Sequence, residues 1–126
     1  MENFILNNQW LQLEDIQHIL ENKQKVELGD NARKAITDCR SYLDNKIENS
    51  DNLFYGINTG FGSLCDTAIS KEDLTTLQRN LVISHSCGTG AIINKELVKC
   101  MLLLKIIGLA KGHSGIRLET IERLLF

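Results

Sequence analysis

Apolar and polar positions follow different rhythms along this chain, and the changes of rhythm mark its elements. Over residues 4–13 the alternation is loose: Phe4 and Leu6 precede Asn7-Asn8, and Trp10, Leu11 and Leu13 follow. That pattern predicts two short strands about an asparagine turn. From Leu13 to Glu21, Ile16, Ile19 and Leu20 recur at helical spacing, and Lys25-Val26-Glu27-Leu28 predicts a further short strand before Gly29. The clearest stripe of the first half is Ala32, Ala35, Ile36, Cys39, Tyr42, Leu43 and Ile47. It predicts an amphipathic helix capped by Asp30 or Asn31 and ended by the polar run 48–52.

Residues 53–69 break both rhythms. Gly56, Gly60 and Gly62 fall close together in a stretch that keeps Phe54, Tyr55 and Phe61. Each interior glycine costs a helix about 1 kcal/mol relative to alanine, so the segment is not helical, yet it is too aromatic for a solvent loop. Backbone that must come close to something else is the expectation. Ser70 as cap, with Glu72 and Asp73 in the first turn, predicts a helix carrying Leu74, Leu77, Leu81, Val82 and His85, stopped by Gly88-Thr89-Gly90. Asn94 caps the next helix, which runs to about Lys111 and places Leu102-Leu103-Leu104 in the core. Gly112-His113-Ser114-Gly115 breaks it, and a last helix runs from Ile116 to Phe126. That helix has neither glycine nor polar cap at its end, so the expectation is a sequence that stops inside an element.

Composition narrows the class. The 126 residues suit one domain with a modest core, and 43% hydrophobic with 24% charged residues is a globular balance. The net charge of −2 offers no basic excess for a nucleic-acid backbone. Met1-Glu2-Asn3-Phe4 has no basic n-region leading into an apolar stretch, so no signal peptide is expected. The greasiest run, Val98 to Ala110, is interrupted by Lys99, Lys105 and Gly108 and falls short of the roughly 20 apolar residues a membrane span needs. Cys39, Cys65, Cys87 and Cys100 form no CxxC pair and have no histidine at zinc-finger spacing. Reduced thiols in a cytoplasmic protein without a metal are the expectation. Proline is absent, which leaves the connections to glycine and asparagine.

Few residues are placed for chemistry. The Gly56, Gly60, Gly62 spacing matches neither the dinucleotide fingerprint nor a phosphate loop. Ser84 and His85 resemble a nucleophile with its base, but neighbours on a helix do not face each other. Tyr55, beside a glycine, offers a phenol that could serve as a general base; the plain alternative is a packed ring with a satisfied hydroxyl. His85 is open in the same way, between a working imidazole and a hydrogen-bonded core or interface histidine. His18 and His113 read as surface or cap residues.

The run Tyr55-Gly56-Ile57-Asn58-Thr59-Gly60-Phe61-Gly62 resembles the aromatic amino acid ammonia-lyase family. So do Leu77 to Val82, Ser84 to Gly88, Lys105 to Gly112 and Ser114 to Arg117, in order and at the family's spacing. The resemblance covers residues 4–126 and is strongest to the family's histidine ammonia-lyase branch, through Asn58 and the Ser84-His85 pair. It implies a mainly α, fumarase-like helical fold with a few short N-terminal strands, as a single N-terminal domain that stops before the central helical bundle. It implies removal of ammonia from histidine to give urocanate in a cytoplasmic homotetramer, with Tyr55 as the catalytic proton acceptor, His85 reading the substrate ring, and Gly60 and Gly62 lining the pocket. The family's electrophile is a methylidene-imidazolone group made from Ala-Ser-Gly, a tripeptide these residues lack. The chain by itself is therefore expected to be inactive, and to self-associate through uncovered helix faces. A tyrosine or phenylalanine lyase, a related aminomutase, or a non-catalytic interaction module stay open as alternatives. No nucleic acid and no membrane are expected as partners.

Overall fold

A computed structural model of the chain describes residues 3–125. The sequence readings at Met1, Glu2 and Phe126 lie outside the described residues. The chain divides into two compact units: residues up to Glu48 together with those from Ile92 onward, and the intervening Asn49–Ala91.

The first unit begins as β1 (Phe4–Leu6), α1 (Leu13–Glu21) and β2 (Val26–Leu28). The two strands pair in parallel, with Phe4 opposite Val26 and Leu6 opposite Leu28. Parallel neighbours need a long crossover, which α1 supplies. The hairpin expected about Asn7-Asn8 does not form, and β1 takes its partner from residues 26–28 instead. Two causes are visible. Leu6 and Leu28 are both buried, whereas Trp10 and Leu13, on the expected second strand, are 88% and 80% exposed. The Gln9 side chain also occupies the groups a hairpin partner would use: its oxygen accepts from Asn7 N–H (2.7 Å) and its amide donates to the Ile5 carbonyl (3.2 Å). Asp15 accepts from the Gln12 N–H at 2.8 Å and closes the start of α1. At the other end Asn22 donates to the His18 carbonyl at 2.9 Å.

The long helix α2 (Asp30–Glu48) buries Ala32 and Ile36. Asp30 is its first helical residue rather than a residue before it, and the Gly29 carbonyl accepts from Arg33 N–H at 3.0 Å. A Cβ at Gly29 would stand 2.1 Å from the Asn7 amide oxygen, so a larger residue there would have to displace the Asn7 side chain. After the second unit the chain returns as α4 (Lys95–Ala110) and α5 (Leu118–Leu125). The Asn94 side chain caps α4 as expected, accepting from Glu96 N–H at 2.7 Å. Leu6, Leu28, Ala32, Ile36, Ile106, Leu109, Ala110 and Ile121 form one core. Gly112, at φ +72°, lets the chain turn against α2, where a Cβ would meet the Ala35 backbone at 2.6 Å.

The expectation that Leu102-Leu103-Leu104 is all core is corrected. Only Leu103 is buried; Leu102 and Leu104 are 37% and 49% exposed. Successive residues on a helix point about 100° apart, so a single packed face cannot take three in a row. Arg33 pairs with Glu122 at 2.5 Å and ties α2 to α5, while Lys111 donates to the Asn8 and Gln9 carbonyls at 3.2 and 2.9 Å.

The second unit holds one helix, α3 (Leu74–His85), and a 3₁₀ turn at Gly62–Leu64. Ser70 does not cap α3, whose helical residues begin at Leu74 after Asp73. It caps the turn before it: the Ser70 hydroxyl accepts from Asp73 N–H at 3.2 Å and donates to the Asp73 carboxylate at 2.8 Å.

Candidate active-site loop

Residues 52–69 are irregular apart from a 3₁₀ turn, and side chains of Asn58 and Thr59 supplement the bonds their backbone groups make with one another. The Asn58 amide oxygen accepts from Phe54 N–H at 2.6 Å, and its NH₂ donates to the Asn52 carbonyl at 2.9 Å. The Asn58 carbonyl accepts from Ile69 N–H at 3.0 Å. Thr59 is 1% exposed; its hydroxyl accepts from Gly56 N–H at 3.3 Å and donates to the Gly60 carbonyl at 2.9 Å. An antiparallel bridge between Thr59 and Ala68, with Gly60 N–H donating to the Thr67 carbonyl at 3.1 Å, folds the segment back on itself.

Tyr55 stands on the outside of this turn, 65% exposed. Its ring meets Phe61 edge-to-face, with centroids 6.2 Å apart and planes at 72°. This is neither a ring sunk in a core nor a free side chain: one edge rests on an aromatic wall and the rest faces outward. Gly56 allows the turn beside it with φ +73°. The two other glycines singled out differ in kind. Gly60 is buried, and a Cβ there would stand 2.6 Å from the Leu64 Cβ and 2.8 Å from the Leu64 carbonyl oxygen. Gly62 has φ +58° and open space around it. Gly60 is thus demanded by packing and Gly62 by backbone conformation.

His85 closes α3. Its Nδ1 lies 2.9 Å from the Leu81 carbonyl and 3.0 Å from the Ser84 hydroxyl, which itself donates to the Leu81 carbonyl at 2.9 Å. The two side chains, expected to make a poor nucleophile–base pair because helical neighbours do not face each other, do come within 3.0 Å. Both side chains turn back to the same carbonyl, that of Leu81, one turn before the end of the helix. The contact does not make an activated serine, because the Ser84 proton is directed at the carbonyl. A carbonyl only accepts, so a hydrogen bond at that contact has Nδ1–H as its donor and leaves the Nε2 edge of the ring unengaged by it. Tyr55 and His85 belong to the same unit, and among the described residues no hydrogen bond or ring contact joins them.

Comparison with known proteins decides the family. The family model for aromatic amino acid lyases matches residues 11–126. The chain belongs to the aromatic amino acid lyase family. It is similar to the histidine ammonia-lyase of Alkaliphilus oremlandii, 39% identical over 99% of this chain and 24% of that relative. Among solved structures it is similar to histidine ammonia-lyase from Trypanosoma cruzi, with a TM-score of 0.82 and 37% identity over 98% of this chain and 24% of that one. It is also similar to the tyrosine aminomutase from Streptomyces globisporus, with a TM-score of 0.88 and 26% identity over 98% of this chain and 23% of that one. The chain spans about a quarter of the length of these relatives.

The aromatic amino acid lyases carry a methylidene-imidazolone group. Residues 1–126 contain no Ala-Ser-Gly tripeptide. Among the described residues no three of His, Cys, Asp and Glu gather as a metal site, and the four cysteines are free. No described helix is long and apolar enough to cross a membrane. Sequence reasoning missed Thr59. A small polar residue between asparagine and glycine looks like ordinary turn chemistry, and nothing in the hydrophobic pattern marks it for burial.

Proposed function

We propose that this chain is the N-terminal part of a histidine ammonia-lyase, which converts L-histidine to urocanate and ammonia. Tyr55 accepts the substrate's β-proton, His85 recognises the imidazole ring, and Gly60 and Gly62 shape the pocket wall. The observation that carries the reading is the identity of 39% with a histidine ammonia-lyase across 99% of the chain. The local chemistry supports each role. A phenol that is mostly exposed, on a turn whose flanking amides are both held, can be aimed at a substrate without rearranging its backbone. A His85 ring whose Nδ1 is committed to Leu81 offers Nε2 as an acceptor for an imidazole N–H, and a phenyl ring has nothing to donate to it.

The complete lyase works as a cytoplasmic homotetramer in this reading, and residues 1–126 alone form no urocanate because the electrophile is not among them. The alternative within the family is a tyrosine or phenylalanine lyase or an aminomutase, supported by the likeness to the tyrosine aminomutase. A substrate panel on the complete lyase separates them. Histidine is expected to exceed tyrosine and phenylalanine in kcat/KM by about 100-fold or more, since a polar site left unpaired rejects the apolar ring. A preference for either of the other two contradicts the histidine assignment.

A further inference from the structure

Asn58 makes more bonds within the loop than any role as a family marker requires. Its amide oxygen accepts from Phe54 N–H and its NH₂ donates to the Asn52 carbonyl. Its backbone N–H donates to the Phe54 carbonyl at 3.2 Å, and its carbonyl accepts from Ile69 N–H. The orientation of the amide is forced, because one neighbour is a donor and the other an acceptor. The effect falls on Tyr55. Of the two peptide groups that bracket it, the first is held at the Phe54 carbonyl by the Asn58 backbone N–H and the second at Gly56 N–H by Thr59, while Phe54 N–H, one peptide earlier, is held by the Asn58 side chain.

No apolar core does this work instead: in Asn49–Ala91 no hydrophobic side chain is fully buried. The turn therefore depends on a side chain that has a donor and an acceptor a fixed distance apart. Aspartate keeps the acceptor and sets a carboxylate against the Asn52 carbonyl. Alanine removes both ends. Glutamine moves both outward by a methylene.

We propose that Asn58 is a positioning residue for Tyr55: its side-chain amide clasps Asn52 to Phe54 and so fixes the turn from which the phenol is presented. This rests on the reading of Tyr55 as the proton acceptor, and Asn58 itself touches no substrate.

The test compares Asn58→Ala, Asn58→Asp and Tyr55→Phe in the complete lyase that carries these residues. A displacement of about 1 Å at a reacting group costs about 100-fold in rate. Asn58→Ala is expected to lower kcat by that order with KM for histidine little changed, and Asn58→Asp, which keeps the Phe54 bond, recovers part of the loss. In parallel, hydrogen exchange on the chain is expected to show Phe54 and Ile69 amides losing protection in Asn58→Ala, while α2 and α4 amides keep theirs. An Asn58→Ala enzyme with unchanged kcat, beside an inactive Tyr55→Phe enzyme, overturns the positioning role and leaves the Tyr55 reading standing. An active Tyr55→Phe enzyme overturns both, even where the exchange data confirm the clasp. If Asn58→Ala is too unstable to assay, Asn58→Asp decides: kcat and KM changing together, with protection lost throughout the chain, mark a general structural role and overturn the proposal.

Discussion

In the helical unit Leu6, Leu28, Ile36, Ile106 and Ile121 meet in one apolar core, whereas in Asn49–Ala91 the fully buried side chain is that of a threonine. The first region is held by area removed from water, a force that is non-directional and grows with the apolar surface covered. In the second, directed bonds take a larger part: backbone groups bond one another across the loop, and Asn58 and Thr59 side chains bond particular backbone groups. The difference suits what each is proposed to do. A helical core tolerates small adjustments as long as volume is kept. A loop that must offer one phenol at one angle gains from bonds that specify geometry, each contributing about 1 kcal/mol net but costing more when a partner is stranded.

The largest expected effect comes from attacking each region with the same kind of change. Ile36→Ala, at a site 1% exposed in the helical core, should cost about 2–5 kcal/mol of unfolding free energy in denaturant titration. Leu64→Ala, at a site 56% exposed in the loop, should stay within about 0.5 kcal/mol. A loop truncation as costly as the core one would mean that the loop has an apolar core after all.

Next in size is Thr59→Val, which keeps the shape and strands the Gly56 N–H. The expected cost is about 1–3 kcal/mol, confined to the second unit. The exchange rate of the Gly56 amide, which the hydroxyl holds, should rise while those of α2 stay as they were; an unchanged Gly56 rate would show that the hydroxyl is dispensable.

This division also explains what could be read in advance. The amphipathic stripe of α2, the Asn94 cap and the strand before Gly29 follow from spacing alone, because periodicity records which face is buried. The pairing of β1 does not, because two three-residue strands carry no register signal and the choice was made by Leu6 and Leu28 packing together and by Gln9 occupying the hairpin's groups. The α4 leucines misled for a related reason: an apolar run says that a helix is greasy, not which of its faces is covered. Within the candidate site, Tyr55 and the glycines were legible as a motif. The work of Asn58 and the burial of Thr59 were not, since a side chain that bonds a nearby backbone leaves no periodic trace.

The smallest expected effect sits on the surface of α2. The Arg40 guanidinium, hydrogen-bonded to Asp44, holds that carboxyl below the usual carboxylate range, and Arg117 adds a lesser pull. Arg40 also donates to the Gly115 carbonyl at 3.2 Å, so the pair steadies the turn before α5. A carboxyl that is more acidic when folded contributes stability above its unfolded pKa and loses it as pH falls through the folded one. In Arg40→Met the Asp44 titration, followed by carboxyl NMR, should move upward and the acid-unfolding midpoint should rise slightly. Identical titration curves would show that the pair is not coupled.

The most direct measurement of the central claim is the turnover of histidine by the complete lyase carrying Tyr55→Phe, set beside its unfolding curve. The substitution removes one hydroxyl from a ring that is mostly exposed and leaves its edge on Phe61. The account predicts that kcat falls by about 10²–10⁴, the scale of a lost general base, while the unfolding midpoint stays where it was. A Tyr55→Phe enzyme that still makes urocanate at close to the parent rate would contradict it.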